Sequence, residues 1–463
     1  MIPFHFSRRV RLPVPAREAF AWHARPGAFE RLTPPWERVE VVERRGGIED
    51  GARLVMRVGP SPVAVRWVAD HRDTIPGRQF VDVQTSGPFR RWEHLHRFEP
   101  AGEDACVLED RIEYALPLAP AGDLGAGALV HARLERMFRY RHTVTAQDLA
   151  AHRAARLPPQ HVLVSGASGL VGRALVPFLT TGGHTVTRLV RSAPRAGEVR
   201  WDPAGGALEA AALPAVDAIV HLAGDNLAEG RWTAEKKRRI LESRVRGTRL
   251  VAEAAAALPR PPRVLVCASA IGFYGDRGTE VLDETSAPGS GFLADVCRQW
   301  EAAAEPARAA GIRVVHLRFG VVLSSAGGAL ATMLLPFRLG VGGVLGAGTQ
   351  YLGWIAIDDA IGIVLRALAD ERLHGPVNAV APNPVTNREY TTTLGGVLGR
   401  PTLLGVPAFA ARLAFGETAD ALLLASTRVV PRVLTDAGHP FRFPALAPAL
   451  RHLLGVAPER PTG

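Results

Sequence analysis

Residues 161–172 read HVLVSGASGLVG, an apolar, β-branched run that ends in Gly166, Gly169 and Gly172 and leads into a segment of helical character. The stretch therefore reads as strand, tight glycine turn, helix N-terminus. Lacking a Cβ, glycine lets the backbone approach a pyrophosphate closely, and the first turn of the following helix offers free N–H groups and a positive dipole end. Ser168 and Leu170 sit between the glycines on the same turn. A strand before and a helix after give this G-x-x-G-x-x-G series more weight than the glycines alone, and it predicts a dinucleotide-binding loop.

Working outward, HTVTRLV, DAIVHLAG, RVLVCASA and RVVHLRFG are further short apolar runs separated by helical segments. Parallel βαβ units have this rhythm, and ligands of such sheets lie beyond the carboxyl ends of the strands. Leu222, Ala223 and Gly224, after the third strand, are accordingly expected against the cofactor. At the end of the second strand an acid would bond a ribose 2′-hydroxyl, whereas arginine accommodates a 2′-phosphate. HTVTRLVRSAPR carries no acid and offers Arg188, Arg191 and Arg195. NADP is thus favoured over NAD, with Arg191 as its first partner. The loop after HLAG adds Asp225, Asn226, Arg231 and Trp232. An arginine beside a tryptophan suits an anionic or planar ligand, so Asn226, Arg231 and Trp232 are expected to line a substrate pocket. Thr233, followed by Glu235, also reads as the cap of the next helix.

The 463 residues exceed one ordinary core, and 47% hydrophobic with 22% charged residues suits folded domains. No apolar run of eighteen or more lacks a charge, and the opening MIPFHFSRRVRLPVP has no leader-like apolar stretch, so no membrane span is expected. Three scattered cysteines (Cys106, Cys267 and Cys297) predict a reducing, cytoplasmic setting. The net charge of +10 is spread along the chain, and its longest basic cluster, KKRR at 236–239, reads as a solvated helix face rather than a nucleic-acid patch. Lysine is nearly absent. Lys236 and Lys237 are the whole supply, so a mechanism needing lysine uses one of these or none.

Residues 1–150 read differently. HFSRRVRLPV, VEVVER, ARLVMRV, AVRWVADH, RQFVDVQTS, RRWEHLHRFEP and CVLEDRIEYAL have strand character, one helical stretch covers AREAFAWHARPGAFERL, and a longer helix closes the segment. An antiparallel sheet gripping a long helix is the expected assembly. The segment 151–160, AHRAARLPPQ, reads as a linker, 161–383 as the parallel-sheet domain, and 384–463 as a small, mainly helical domain. His94 and His96 share one face of a strand, but no carboxylate or cysteine is evidently placed beside them, which favours cavity lining over metal.

From 161 to about 380 the chain resembles the extended and atypical short-chain dehydrogenase/reductases, the group that includes nucleotide-sugar epimerases. GASGLVG, HLAG, ASAIGFYG and GWIAIDDAIGIVL carry the likeness. HLAGDNLAEGRWTAEKKRRILESRV and the tail from PNPVTNREY to GHPFRFP resemble, more narrowly, an epimerase-like subfamily also labelled cell-division-inhibitor-like, with its own C-terminal domain. WHARPGAFERLTPPWE and GPFRRWEHLHRFEP resemble START-like (polyketide-cyclase-like) helix-grip domains, which enclose an apolar cavity. The implied architecture is an α/β Rossmann-type doubly wound parallel sheet with a small C-terminal domain, preceded by an α+β helix-grip domain. An apolar ligand is implied for the first domain, a small-molecule substrate for the second, and an oligomer through the helices around 234–258 and 291–310 by analogy with the fold.

The resemblance breaks at GFLADVCRQWE, residues 291–301. Extended members carry Y-x-x-x-K here, with an acid four positions beyond the lysine. Glu301 matches that acid, which puts Leu293 at the tyrosine and Cys297 at the lysine. Leucine neither donates nor accepts a proton. Tyr274 in GFYGDRG is either a structural turn residue or the substitute; the serine of the usual set falls at Ser269 or Ala270, Ser269 joining Tyr274 if its side chain points inward, and Arg318 of HLRFG is a further lining residue by the same resemblance. Two functions follow from this reading. One is an NADP(H)-dependent, epimerase-like oxidoreductase with an unusual catalytic set. The other is a silent NADP-binding sensor or scaffold, which the subfamily's label would connect to cell division.

Overall fold

The computed structural model describes residues 3–117, 123–208 and 210–459. The chain divides into two compact units. One holds the chain up to Arg156, with Pro177–Gly183 and the residues from Leu454 on; the other holds Leu157–Val176 and His184–Leu453.

Seven strands form the first unit's sheet: β1 (Phe4–Leu12), β2 (Val39–Arg45), β3 (Arg53–Val58), β4 (Val65–Ile75), β5 (Gln79–Ser86), β6 (Arg91–Pro100) and β7 (Cys106–Ala115). They lie in the order β1-β7-β6-β5-β4-β3-β2, with every pairing antiparallel. Strand periodicity is clearest in β6, where Trp92, His94, His96 and Phe98 are buried while Arg91 and Arg97 face out. The helical stretch read over residues 16–32 is two helices, α1 (Ala16–Ala24) and α2 (Ala28–Leu32). Arg25 is extended, as a residue before proline prefers, and Gly27 takes φ 95° to restart the helix.

Helix α3 (Asp123–Ala155) lays Leu134 and Phe138 against Phe6, Trp92, Ile112 and Tyr114 of the sheet. It runs five residues into the segment read as a linker. AHRAA is rich in alanine, the strongest helix former, and the helix stops just ahead of Pro158 and Pro159. A buried ion pair, Arg31 Nε to Asp148 Oδ2 at 2.7 Å, ties α2 to α3.

From Leu157 on, β8 (His161–Ser165), α4 (Leu170–Thr181), β9 (Thr185–Val190), β10 (Glu198–Arg200), β11 (Ala218–His221), α5 (Ala234–Ala256) and β12 (Val264–Ala270) follow one another. With strands Arg313–Phe319 and Gly375–Ala379 they build a parallel sheet in which β10, β9 and β8 lie on one side and β11, β12 and the two later strands on the other. The chain leaves β8 in one direction and returns to β11 in the other, so a crevice opens between their carboxyl ends. Val162, Leu163, Val164, Ile219 and Val220 are fully buried, which explains why these strands read as unbroken apolar runs. Beyond residue 384 the described residues form α-helices Asn387–Leu398, Ala408–Phe415, Arg432–Asp436 and Leu446–Leu454 and a π-helical turn, Ala419–Leu424. A short strand, Arg428–Val429, pairs with Val281–Leu282 and joins this part to the sheet domain.

Gly172 packs so closely that a Cβ there would lie 2.3 Å from the Gly166 carbonyl oxygen and 2.7 Å from Ala167 Cα. Both are backbone atoms that no rotamer change relieves. Gly172→Ala is expected to lose about 1–3 kcal/mol of stability. Gly362→Ala, on a helix where a Cβ meets nothing within 4 Å, is expected to gain about 1 kcal/mol. Denaturant midpoints of the two variants check the opposite signs.

Candidate functional site

The glycine turn is built against the next strand. Gly166 has φ +69°, and a Cβ on it would lie 2.7 Å from the Leu222 carbonyl carbon and 2.8 Å from Ala223 N. The predicted residues Gly166, Ser168, Gly169 and Leu170 thus stand in one turn beside Leu222 and Ala223. Gly169 N–H donates to Gly166 O at 2.9 Å and closes the turn. A pair that sequence reading missed pins it from beneath: Ser165 Oγ and His221 Nδ1 are 2.7 Å apart, and Leu222 N–H donates to Ser165 Oγ at 3.2 Å. Burial lowers the His221 pKa to about 4, so this histidine is a neutral strut at physiological pH. Its signal was the HLAG string itself, where a polar residue ends an apolar strand. Arg191 follows β9 directly and is exposed, as are Arg188 and Arg195.

The loop after β11 differs from expectation. Arg231 donates to the Leu413 carbonyl at 2.5 Å. Trp232 is buried among Ile240, Val296, Phe292 and Leu293, with its indole N–H on Leu227 O at 2.9 Å. Both hold the loop to its surroundings, a role that residue type could not distinguish from pocket lining. Asn226 remains exposed and accepts the Ala228 N–H at 3.0 Å. Thr233 caps α5, its side chain accepting from Lys236 N–H at 3.2 Å. The two lysines are engaged: Lys236 Nζ lies 3.1 Å from Asp225 Oδ2, and Lys237 Nζ 2.6 Å from Glu417 Oε1.

Helix α6 (Phe292–Ala302) carries Leu293 against Gly272, whose hypothetical Cβ would lie 3.3 Å from Leu293 Cβ. Cys297 is buried, and burial pushes its thiol up to about 12, which keeps it protonated and unreactive. Ser269 does point inward, but toward α6: its Oγ donates to Glu301 Oε1 at 2.7 Å. Glu301 receives Arg318 through Nε and NH2, both at 2.8 Å. Arg318 NH1 donates to the Tyr274 phenol at 3.0 Å, and the phenol donates to Asn378 Oδ1 at 2.7 Å. Asn378 Nδ2 completes the series on Val430 O at 3.0 Å.

Tyr274 is therefore fully buried inside a satisfied network, and burial pushes its phenol up to about 12 despite the neighbouring Arg318. Of the two readings of Tyr274, this geometry is that of a structural residue, and Ser269, expected beside it, meets Glu301 instead. Arg318 likewise serves the network and packs 3.5 Å over the Phe273 ring instead of lining open space. Strand alternation turned Ser269 toward Glu301, and Ala270 takes the opposite face.

The first unit encloses a cavity of about 780 Å³, lined by apolar residues that include Met56, Trp67, Phe80, Trp92, Leu134 and Met137. At its floor strand register supplies the carboxylates that the sequence left to distant residues. Asp82 on β5 faces His94 directly, and His96 faces Asp110 on β7. Burial opposes charge on His96, but Asp110 and Asp82 more than reverse this and raise its pKa, whereas burial lowers that of His94.

Comparison with known proteins agrees with this construction. Residues 162–379 match the NAD dependent epimerase/dehydratase family, 12–138 the polyketide cyclase / dehydrase and lipid transport family, and 406–453 a domain of unknown function. An epimerase family protein of Mycobacterium bovis is 43% identical over 301 residues, 65% of this chain and 98% of that protein. A crystal structure of the nucleoside-diphosphate sugar epimerase of Corynebacterium glutamicum is 35% identical, with TM-score 0.80 over 97% of this chain and 90% of that one. The human epimerase family protein SDR39U1, crystallised with NADPH, is 37% identical, with TM-score 0.58 over 63% of this chain and 98% of that one.

The Glu301–Arg318 pair sets a stability test independent of any ligand. Side-chain exposures of 14% and 4% place it inside the protein. Burial alone would raise the Glu301 pKa, but Arg318 holds it below the ordinary value of 4.5. Its contribution is thus complete above that value and lost as pH falls through the folded pKa. Glu301→Gln is expected to cost about 3–5 kcal/mol near neutrality and to flatten the acid limb of the stability curve. Urea unfolding between pH 3 and 7 measures both.

Proposed function

The chain belongs to the NAD-dependent epimerase/dehydratase family, and from that premise we propose that it binds NADP(H) and acts as an oxidoreductase whose proton transfers do not use a protein tyrosine. The observation that carries this reading is the Tyr274 phenol, closed in by Arg318 and Asn378 while Leu293 and Cys297 occupy α6. Backbone N–H groups of the turn from Gly166 to Gly172 face the pyrophosphate, with Ser168, Gly169 and Leu170 at the start of α4. Room for that close approach is supported by the turn's own packing, which excludes a Cβ at Gly166 and Gly172. Leu222, Ala223 and Gly224 form the adjoining wall. Arg191, exposed after a strand that ends without an acid, takes the 2′-phosphate.

NADPH, when bound, supplies a hydride. The chain's own residues bind and orient it. Asn226 stands on the substrate side, while Arg231, Trp232 and Arg318 fix the loop and wall around it. The accompanying proton comes from the solvent or from the small-molecule substrate itself. In the first unit the apolar lining supports an apolar ligand. The three cysteines are buried and unpaired, which supports a reducing, cytoplasmic setting.

A second reading, an NADP(H) sensor without turnover, draws on the same closed network and on the high thiol pKa of Cys297. Fluorescence titration with NADPH and NADH tests binding first. NADPH is expected to bind at least tenfold tighter, a difference that Arg191→Glu removes; equal affinities would overturn the cofactor assignment. Tyr274→Phe is expected to leave NADPH oxidation by an added acceptor within twofold of wild type. A hundredfold loss in the folded variant would return Tyr274 to catalysis, and stable nicotinamide with every acceptor would favour the sensor.

A further inference from the structure

The histidines and aspartates of the first unit stand in two layers. Asp82, His94, His96 and His71 line the cavity, and Asp110 with His142 lies behind them. In the front layer His96 Nε2 is 3.3 Å from Asp82 Oδ2, and His94 Nδ1 is 3.7 Å from the same oxygen. One donor atom from each of the three lies within 4.8 Å of the others. A tetrahedral cation with bonds of about 2.1 Å needs donor atoms roughly 3.4 Å apart, so these separations suit coordination through a shared centre.

The rear layer addresses the other ring nitrogens. His94 Nε2 lies 2.9 Å and His96 Nδ1 2.8 Å from Asp110 Oδ1. His142 Nε2 in turn lies 2.6 Å from Asp110 Oδ2, and His71 Nε2 lies 2.8 Å from Asp82 Oδ1. The hydrogen bond from His94 Nε2 to Asp110 fixes that ring's tautomer and orientation, and the Asp110 carboxylate beside His96 raises the basicity of that ring. His71, Asp82, His94, His96 and Asp110 stand on adjacent strands of one sheet, β4 to β7, and His142 on α3, so the donors are held more rigidly than loops would hold them.

We propose that Asp82, His94 and His96 form a three-ligand site for a divalent transition cation on the cavity floor, with Asp110 as the positioning carboxylate. Two histidines and one carboxylate leave coordination positions open toward the apolar cavity. A water or a ligand oxygen fills them. The site would anchor the polar end of an otherwise apolar molecule.

Cobalt(II) is the probe. The full chain, stripped with a chelator and dialysed, is titrated with Co²⁺ while visible absorption is recorded. One tightly bound ion per chain with a ligand-field band is expected, and Zn²⁺ should displace it. Asp82→Asn and His96→Gln are expected to weaken binding at least a hundredfold, and Asp110→Asn by 10- to 100-fold. Circular dichroism confirms that each variant is folded. Should the ligand variants not fold, the cadmium-113 chemical shift of the Cd²⁺-loaded wild-type chain reads nitrogen and oxygen donors directly. Absence of stoichiometric binding at micromolar Co²⁺ would overturn the proposal and leave the cluster a hydrogen-bond network. Binding unchanged in folded His96→Gln, or a cadmium shift of thiolate character, would also overturn it.

Discussion

The bidentate contact between Arg318 and Glu301 is the constraint on which the second unit's crevice wall depends. Arg318 lies on the strand Arg313–Phe319, Glu301 on α6, Ser269 on β12, and Asn378 on the strand Gly375–Ala379. The guanidinium holds Glu301 and Tyr274 directly, and through them Ser269 and Asn378, so one network links four elements where little water is present to screen it. A buried pair of this kind need not add net stability over apolar packing, but losing one partner strands the other. Ser269 and Tyr274 fill the remaining hydrogen-bonding positions. The same satisfaction that makes the network rigid removes both hydroxyls from proton transfer at the surface.

The glycine turn shows a different economy. Gly166 and Gly172 are required by contacts inside the turn itself, where backbone meets backbone at distances no side chain allows. Ser165 and His221 hold the ends of β8 and β11 together just below it. The close approach of strand, turn and helix is thus set by backbone contacts within the turn, independently of the groups on α6.

Much of this was legible in the sequence, because period and turn chemistry act locally. All seven strands of the first sheet were readable from alternation, and the parallel strands from apolar runs such as HVLVS and AIVH. The break of the first helix at Pro26–Gly27 and the persistence of α3 through AHRAA depend on weak local preferences, and were not read. What failed was partner assignment across long separations. Nothing in GFYGDRG announces that Tyr274 will meet Asn378, 104 residues later. Nor does RWEHLHRFEP reveal that Asp82 and Asp110 flank its histidines; only strand register sets that. Arg231 meets the Leu413 carbonyl, and Trp232 packs on Val296, Phe292 and Leu293 as well as on nearby Ile240, so the long-range partners were again what the local sequence left unspecified.

The central claim is that the crevice works with the Tyr274 phenol withdrawn. A crystal structure of the full chain with NADPH bound tests this most directly. The account predicts the phenol still bonded to Arg318 and Asn378, out of hydrogen-bond reach of the nicotinamide, with the 2′-phosphate on Arg191. A phenol turned out of the network and within about 3 Å of the nicotinamide carboxamide, ribose or a bound substrate would contradict it.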